Sequence, residues 1–300
     1  MTSRKPRMAM LTVAAALTLL VAACNRQTAA TRDASPPAQQ TAVGTSGTST
    51  QPSAPAPDTS TATAADARDA AGSRDPEAIR ALEKMGDYLR TLKTFQIRSE
   101  TSRDEVLDDG QNVEFTGTVD MIVERPNRLR AEVTGDKQQR LYFYDGKALS
   151  IWARRLNYYT TVPAPPTIRE LADTLTSKYD IELPLVDLFY WSDRASTADI
   201  TSAVDLGPSQ VDGVTCEHYA YRQEGADWQV WMQLGNFPLP RRLVIRTTSD
   251  DARPRYASVM NWNLAPSFDD TAFTFVAPRD AKKIALVELK AGDVGRASGH

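Results

Sequence analysis

The segment LYFYDGKALSIW, residues 141–152, is the clearest β-hairpin signal in the sequence. Strand-forming residues fill positions 141–144 and 148–152, on either side of Asp145 and Gly146. An Asp-Gly pair favours a tight hairpin turn because such a turn needs positive φ angles at its centre. The segment therefore predicts two antiparallel strands joined at this turn.

Similar strand-like runs extend from the hairpin toward both ends of the chain. Their residues alternate with a period of two, and Gly, Pro, Asn and Asp cluster between them as turn signals. The other predicted strands begin near Thr94 and Ile200 or cover residues 117–124, 129–134, 214–221, 228–234, 241–248, 255–264, 273–276 and 282–289. The pattern predicts an α+β fold, mainly antiparallel β, with about ten or eleven strands and about three helices.

Two helix starts lie before and after the first set of strands. Asp75 is a capping residue and Pro76 suits the first helical position. Apolar residues then recur at steps of three or four, at Ile79, Leu82, Met85, Leu89 and Leu92. Thr167 and Glu170 form a capping-box pattern for a second helix, and a short apolar helix over residues 183–191 follows. We expect residues 168–191 to form a helical insertion between two sets of strands.

The first 24 residues have the features of a secretory signal that ends at a cysteine. Residues 1–7 carry three basic side chains, and residues 8–23 carry no charge. This apolar run of about 16 residues is short for a membrane-spanning helix, which needs roughly 20. The sequence VAAC at 21–24 resembles the bacterial lipobox, which implies cleavage and acylation of Cys24; the alternative is an ordinary cleavage site before a cysteine. Asn25 in place of Asp favours transfer to the outer membrane.

Composition divides the chain into four predicted parts. Residues 25–74 contain no Leu, Ile, Met or aromatic residue, so they cannot bury enough surface to fold and predict a disordered linker. Its average reach is roughly 40 Å. All 23 Phe, Tyr and Trp residues follow position 87. The predicted parts are a signal peptide at 1–23, lipidated Cys24 with its linker to 74, one domain at 75–292 and a flexible tail at 293–300.

Charge and motifs narrow the function classes. The formal charge is −3 and becomes −6 without residues 1–23, which argues against a nucleic-acid partner and against charge-driven binding to anionic lipid. If Cys24 is acylated, Cys216 has no disulfide partner in the chain. No nucleotide-binding, zinc-protease or serine-hydrolase motif occurs. The sequence thus predicts a non-enzymatic protein without cofactor or metal.

The C-terminal third carries residues that resemble a known family. They are VDGVTCEH at 211–218, DWQVW at 227–231, PLPR at 238–241, NWN at 261–263 and FTF at 273–275. With the lipobox, the linker and the helical insertion, they resemble a family of predicted periplasmic proteins of unknown function in the LolA/LolB-like superfamily of lipoprotein carriers and receptors. The resemblance covers residues 75 to about 289. It implies a strongly curved open barrel whose concave face is covered by helices, and a ligand that contains acyl chains or is otherwise amphipathic.

Aromatic residues are the candidate ligand contacts. Trp152, Trp191, Trp228 and Trp262 are expected to line an apolar cavity, although core packing explains such residues equally well. Trp228 and Trp231 lie on opposite faces of one strand, so at most one of them faces inward.

Other candidate sites have simpler explanations. Cys216 and His218 share one strand face, and a core cysteine beside a sheet-edge histidine is favoured over a catalytic pair. Three basic pairs occur, at 154–155, 241–242 and 282–283. Neighbouring residues of a strand point to opposite faces, so we expect each pair to expose at most one member per face. Solvated strand faces are favoured over a docking patch.

The favoured hypothesis is a lipid-anchored periplasmic binding protein whose helical insertion acts as a movable lid over an apolar groove for a lipid or lipoprotein. The alternatives are an envelope module that contacts another protein without a lipid ligand and, with least support, an enzyme built on Cys216 and His218.

Overall fold

The computed structural model describes residues 73–192 and 197–288. The predicted signal peptide, Cys24, the linker up to residue 72 and the tail from residue 293 lie outside the described residues. No helix within the described ranges is long and apolar enough to cross a membrane.

The described residues form three α-helices, and the first two begin where the capping signals predict them. They are α1 (Pro76–Thr91), α2 (Ile168–Tyr179) and α3 (Asp187–Tyr190). The Asp75 carboxylate accepts a hydrogen bond from the backbone N–H of Glu77, and the Thr167 hydroxyl accepts one from the N–H of Glu170. These bonds satisfy N–H groups that have no partner inside the helix. Helix α3 is shorter than the predicted 183–191.

Twelve strands form a single sheet in the described ranges. They are β1 (Thr94–Val106), β2 (Asn112–Glu124), β3 (Arg128–Gly135), β4 (Gln139–Tyr144), β5 (Ala148–Ala153), β6 (Tyr158–Pro163), β7 (Ile200–Val211), β8 (Val214–Gln223), β9 (Ala226–Gln233), β10 (Pro240–Thr247), β11 (Arg255–Asn263) and β12 (Lys282–Lys283). Their spatial order is β12-β6-β5-β4-β3-β2-β1-β11-β10-β9-β8-β7.

The sheet is two antiparallel meanders joined in the middle. Strands β1–β6 form one meander and β7–β11 the other, and the 13-residue strand β1 pairs with β11 to join them. The sheet is curved and does not close, so β7 and β12 lie at its two ends. Strand β12 runs parallel to its neighbour β6, whereas the other pairs among the named strands are antiparallel. The predicted mainly antiparallel, open and curved architecture is confirmed.

The predictions fail in the C-terminal segment. Residues 273–276 were expected to form a strand, but Asp270–Phe273 is a 3₁₀ helix, started by the Asp269 carboxylate accepting from the N–H of Thr271. The expected strand at 282–289 is two residues long within the described part. Strand β6, whose own sequence YYTTVP is rich in Tyr and Thr, was not predicted.

The two faces of the sheet carry cores of different size. The three helices cover one face, which we call the inner face, and pack with it into the main apolar cluster, which includes Leu82, Met85, Leu89, Phe95, Ile97, Met121, Leu129, Tyr144, Ile168, Leu175, Phe189, Val230, Ile245 and Met260. The opposite, outer face has a small cluster of Val211, Cys216, Trp231, Val244 and Ala257. The inner face and its helices therefore hold most of the buried apolar surface.

Candidate ligand site

A stack of three aromatic rings joins the helices to the inner face. Trp191, just after α3, stacks on Trp228 of β9 with ring centroids 5.7 Å apart, and Trp228 stacks on Tyr221 of β8 at 4.3 Å. The buried Tyr221 hydroxyl donates a 2.8 Å hydrogen bond to the carbonyl oxygen of Ala78 in α1. Burial raises the pKa of Tyr221 above its ordinary value. The stack thus connects α1 and α3 to the second meander.

The predicted tryptophans separate between the two faces. Trp191 and Trp228 belong to the inner cluster, and Trp262 packs against it, with its ring 5.5 Å from that of Phe95. The Trp262 indole N–H donates to the carbonyl oxygen of Pro240 at 2.8 Å. Trp152 alternates with inner residues of β5 and lies on the outer face, 6.5 Å from the ring of Phe275. The structure therefore brings three of the four together and places Trp152 elsewhere.

The helical insertion is attached to the rest of the domain at a few identifiable points. The N–H of Ile168 donates to the carbonyl oxygen of Pro126 at 3.0 Å. The Arg90 guanidinium of α1 donates to the carbonyl oxygen of Ser192 at 3.0 Å. A Cβ atom added to Gly86 of α1 would lie 2.2 Å from the carbonyl oxygen of Trp191, so only glycine allows this approach. Side-chain packing against the inner face and an ion pair between Lys178 and Glu288, 3.9 Å apart, add to this attachment.

Three acids, Asp180, Glu182 and Asp187, lie in the insertion between α2 and the end of α3, and burial raises the pKa of the last two. Asp187 is 8% exposed, and burial raises its pKa to about 6. Burial and, after it, the charges of Asp187 and Asp180 raise the pKa of Glu182 to about 7. Glu182 is solvent-exposed, however, so water screens this second shift. Asp187 is the ionisable group of the insertion whose charge is least compatible with its surroundings.

A basic pocket lies where β2 ends and α2 begins. It has a volume of about 440 Å³ and is lined by Lys93, Arg125, Pro126, Thr167, Ile168 and Arg169. The Arg125 guanidinium carbon lies 5.2 Å from the ring centroid of Phe189 and 5.9 Å from that of Phe95. Its Nε atom is buried and has no hydrogen-bond partner among the described residues. Burial lowers the pKa of Arg125.

The sequence analysis missed this pocket. In the sequence, Arg125 stands directly before Pro126 in the turn between two predicted strands and belongs to none of the basic pairs. A single arginine next to a proline gives no signal that its partners will be aromatic rings distant in the sequence. The nearest available clue is an arginine that directly follows the alternating apolar run of β2.

Cys216 and His218 lie on the outer face and contact other groups. The buried Cys216 thiol contacts the carbonyl oxygen of Val214 at 3.4 Å, and burial raises its pKa. The His218 ring stacks on Trp231 with centroids 3.9 Å apart, and its Nε2 lies 3.0 Å from Oε1 of Gln229. Burial lowers the pKa of His218. Within the described ranges, no three His, Cys, Asp or Glu side chains are grouped to hold a metal ion.

One basic pair departs from the expected alternation. A register shift between Pro240 and Arg242 places both arginines of the pair on the outer face. Arg241 donates to Oδ1 of Asn261 at 3.3 Å, and the guanidinium of Arg242 lies 4.8 Å from the Trp231 ring centroid. The β-bulge, which the sequence pattern does not show, is the physical reason.

The comparisons with known proteins identify the family. A family model described as a predicted periplasmic protein, DUF2092, matches residues 78–287. The chain belongs to the DUF2092 family. No curated protein sequence matches this DUF2092 protein.

Several solved structures are similar to this DUF2092 protein at low identity. Lipoprotein LppX of Mycobacterium tuberculosis is 12% identical, with 65% of this chain and 100% of that chain covered and a TM-score of 0.42. LprF of Mycobacterium bovis is 14% identical, with 70% and 100% covered and a TM-score of 0.41. The LolA superfamily protein NE2245 of Nitrosomonas europaea is 12% identical, with 66% and 97% covered and a TM-score of 0.31.

Proposed function

We propose that this DUF2092 protein is a lipid-anchored binding protein of the periplasm that holds an acyl chain, as part of a lipid or lipoprotein, between the inner face and the helical insertion. The observation that carries the proposal is that helices cover the apolar inner face of the sheet. The main apolar cluster is closed on one side by an insertion that lies outside the strand order, so it can move without breaking any strand pairing.

Opening of the insertion would uncover apolar side chains of the sheet. Leu171, Leu175 and Phe189 would leave the cluster that they share with Phe95 and Met121, and an acyl chain entering there would pack against the inner residues that remain. Each methylene group buried in this way contributes about 0.8 kcal/mol. Binding by this mechanism needs neither a catalytic group nor a cofactor.

The anchor completes the proposal. Acyl chains on Cys24 would hold the chain at the periplasmic side of the outer membrane, and the linker would let the domain work roughly 40 Å away. Residues 24–74 would then be a tether and residues 75–292 the binding domain.

Native mass spectrometry tests the ligand directly. The chain from residue 24 onward, with Cys24→Ser so that it carries no acyl group of its own, is secreted to the periplasm, purified without detergent and examined before and after lipid extraction. A stoichiometric lipid that extraction removes is the expected result. A protein that is empty and also fails to bind added fatty acid or lipopeptide would refute the proposal.

Two tryptophans of β9 provide a matched pair of variants for this test. Trp228 is 7% exposed and faces inward, while Trp231 is 9% exposed and faces outward. We expect Trp228→Phe to weaken binding of the fluorescent fatty acid cis-parinaric acid about fivefold, close to 1 kcal/mol, and Trp231→Phe to leave it unchanged. Equal effects of the two substitutions would place the ligand away from the inner face.

A protein partner is the second candidate function, and the end of the sheet favours it. Backbone groups of Ser73 and Asp75 bond to Ala203 of β7, but within the described residues no strand pairs with the outer edge of β7 from Asp205 to Val211. Such an edge can add a strand from another protein. Cross-linking from Gln210→Cys in cells would test this candidate. A protein partner that is captured through this edge, and is lost when the edge is blocked, would support this candidate over the lipid ligand.

A further inference from the structure

We propose that the basic pocket binds the anionic headgroup of the amphiphile, a phosphate or carboxylate, whose acyl chains lie against the inner face. This inference rests on the proposed function and adds the chemical class of the ligand. Three of the six residues that line the pocket are cationic, and none is acidic.

Two of the three cationic side chains in the pocket have no carboxylate partner among the described residues. Arg125 and Lys93 make no salt bridge with a described carboxylate, whereas Arg169 lies 3.2 Å from Asp173 through its Nε. A partly buried guanidinium without a carboxylate has lost hydration and gained only its two aromatic contacts. An anionic ligand would supply the missing partner.

The donors in the pocket suit an oxyanion. A guanidinium presents planar N–H groups that can bond two oxygens of a phosphate or carboxylate together, and a lysine ammonium adds a flexible point charge. Lys93 is exposed at the mouth of the pocket, while Arg125 is half-buried within it. A volume of about 440 Å³ exceeds the needs of one phosphate group and leaves room for the glycerol part of a lipid.

The pocket is continuous with the apolar site. Ile168, which lines the pocket, also belongs to the main apolar cluster, as do the two rings beneath the Arg125 guanidinium, Phe95 and Phe189. A headgroup at Arg125 would therefore have its acyl chains start at the edge of the helical insertion. One ligand can occupy both places.

The test compares two lipids that differ only in the phosphate. Dioctanoyl phosphatidic acid, dioctanoylglycerol and inorganic phosphate are each titrated by calorimetry into residues 24–300 carrying Cys24→Ser. We expect the phosphatidic acid to bind at least tenfold more tightly than the diacylglycerol. Arg125→Gln should remove that preference, and Arg125→Lys should retain part of it.

Arg128→Gln is the matched control. Arg128 lies three residues away, is outside the pocket lining and is paired with Asp270 at 2.7 Å. It should leave the preference for phosphatidic acid within about twofold of the parent value. If Arg125 only supports the fold, Arg125→Gln will weaken the binding of both lipids by the same factor and leave the ratio of their affinities unchanged. That result would overturn the assignment.

The three ligands separate failure of the inference from failure of the proposed function. If both lipids bind equally and regardless of Arg125, the carrier function stands and the headgroup site is wrong. If neither lipid binds but phosphate binds in an Arg125-dependent way, the anion site stands and the lipid function is wrong. If none of the three binds, both are overturned.

Discussion

The substitution Asp187→Asn is expected to stabilise the domain at alkaline pH and to change it little in acid. Asp187 lies at the first position of α3 and is 8% exposed. Burial raises its pKa, and only its own backbone N–H acts against that shift. The amide of asparagine has nearly the same shape but carries no charge that must leave water.

The magnitude follows from the two pKa values. The pKa of Asp187 rises from 3.8 to about 6 on folding, and one pKa unit corresponds to about 1.4 kcal/mol, so the folded carboxylate costs about 3 kcal/mol. Because the folded pKa lies above the unfolded one, the folded state binds the proton more tightly between these values. Stability is therefore highest below the unfolded pKa, falls as the pH rises toward 6, and is constant above it.

Urea denaturation at pH 4 and pH 8 measures the effect. The free energy of unfolding of Asp187→Asn should exceed that of the parent protein by about 3 kcal/mol at pH 8 and by less than about 1 kcal/mol at pH 4. Asp108→Asn, in an exposed turn, is the control and should show no such difference. A gain from Asp187→Asn that is equal at both pH values would refute the reasoning.

Three further outcomes follow from other contacts. Tyr221→Phe removes the hydrogen bond to the carbonyl of Ala78 and should lower the free energy of unfolding by about 1 kcal/mol; an unchanged urea midpoint would contradict it. Gly86→Ala places a methyl group against the Trp191 carbonyl and should lower the free energy of unfolding by about 1–3 kcal/mol, although alanine is a better helix former than glycine. Limited proteolysis should then cleave the insertion faster, and an unchanged cleavage rate would contradict this. Cys24→Ala should release the protein from membranes on fractionation, and retention would disprove the anchor.

The helix starts and the turns of the meander could be predicted because their signals lie within a few residues of sequence. The side-chain caps at Asp75 and Thr167 act within three residues, so the sequence shows them directly. The turn at Asp145 is also local, because its carboxylate accepts hydrogen bonds from the N–H groups of Lys147 and Ala148. The meander follows because such turns join consecutive strands.

Facts that depend on distant contacts could not be predicted. Alternation in β5 gives two faces but does not say which one the helices cover, so Trp152 was expected with the other tryptophans. The segment after the 3₁₀ helix brings Phe275 against Phe143 and Tyr159 on the outer face, at 5.4 and 5.2 Å, and so half-buries Trp152 there. A β-bulge likewise places Arg241 and Arg242 on the same, outer face, where alternation predicts opposite faces.

The closed arrangement of the helical insertion carries costs that the strand pairing does not. Closure buries the Asp187 carboxylate and places Phe189 against the guanidinium of Arg125, which has no carboxylate partner in the described part of the chain. On the proposed function, an anionic ligand at Arg125 pairs that charge, so ligand binding and closure favour each other by the same free energy. Protonation of Asp187 removes the cost of burying its negative charge. The empty protein should therefore open its insertion more readily at pH 8 than at pH 5. Hydrogen exchange of the α2 amides, corrected for the intrinsic rate at each pH, measures this opening, and equal opening at the two pH values would show that the charge of Asp187 does not oppose closure.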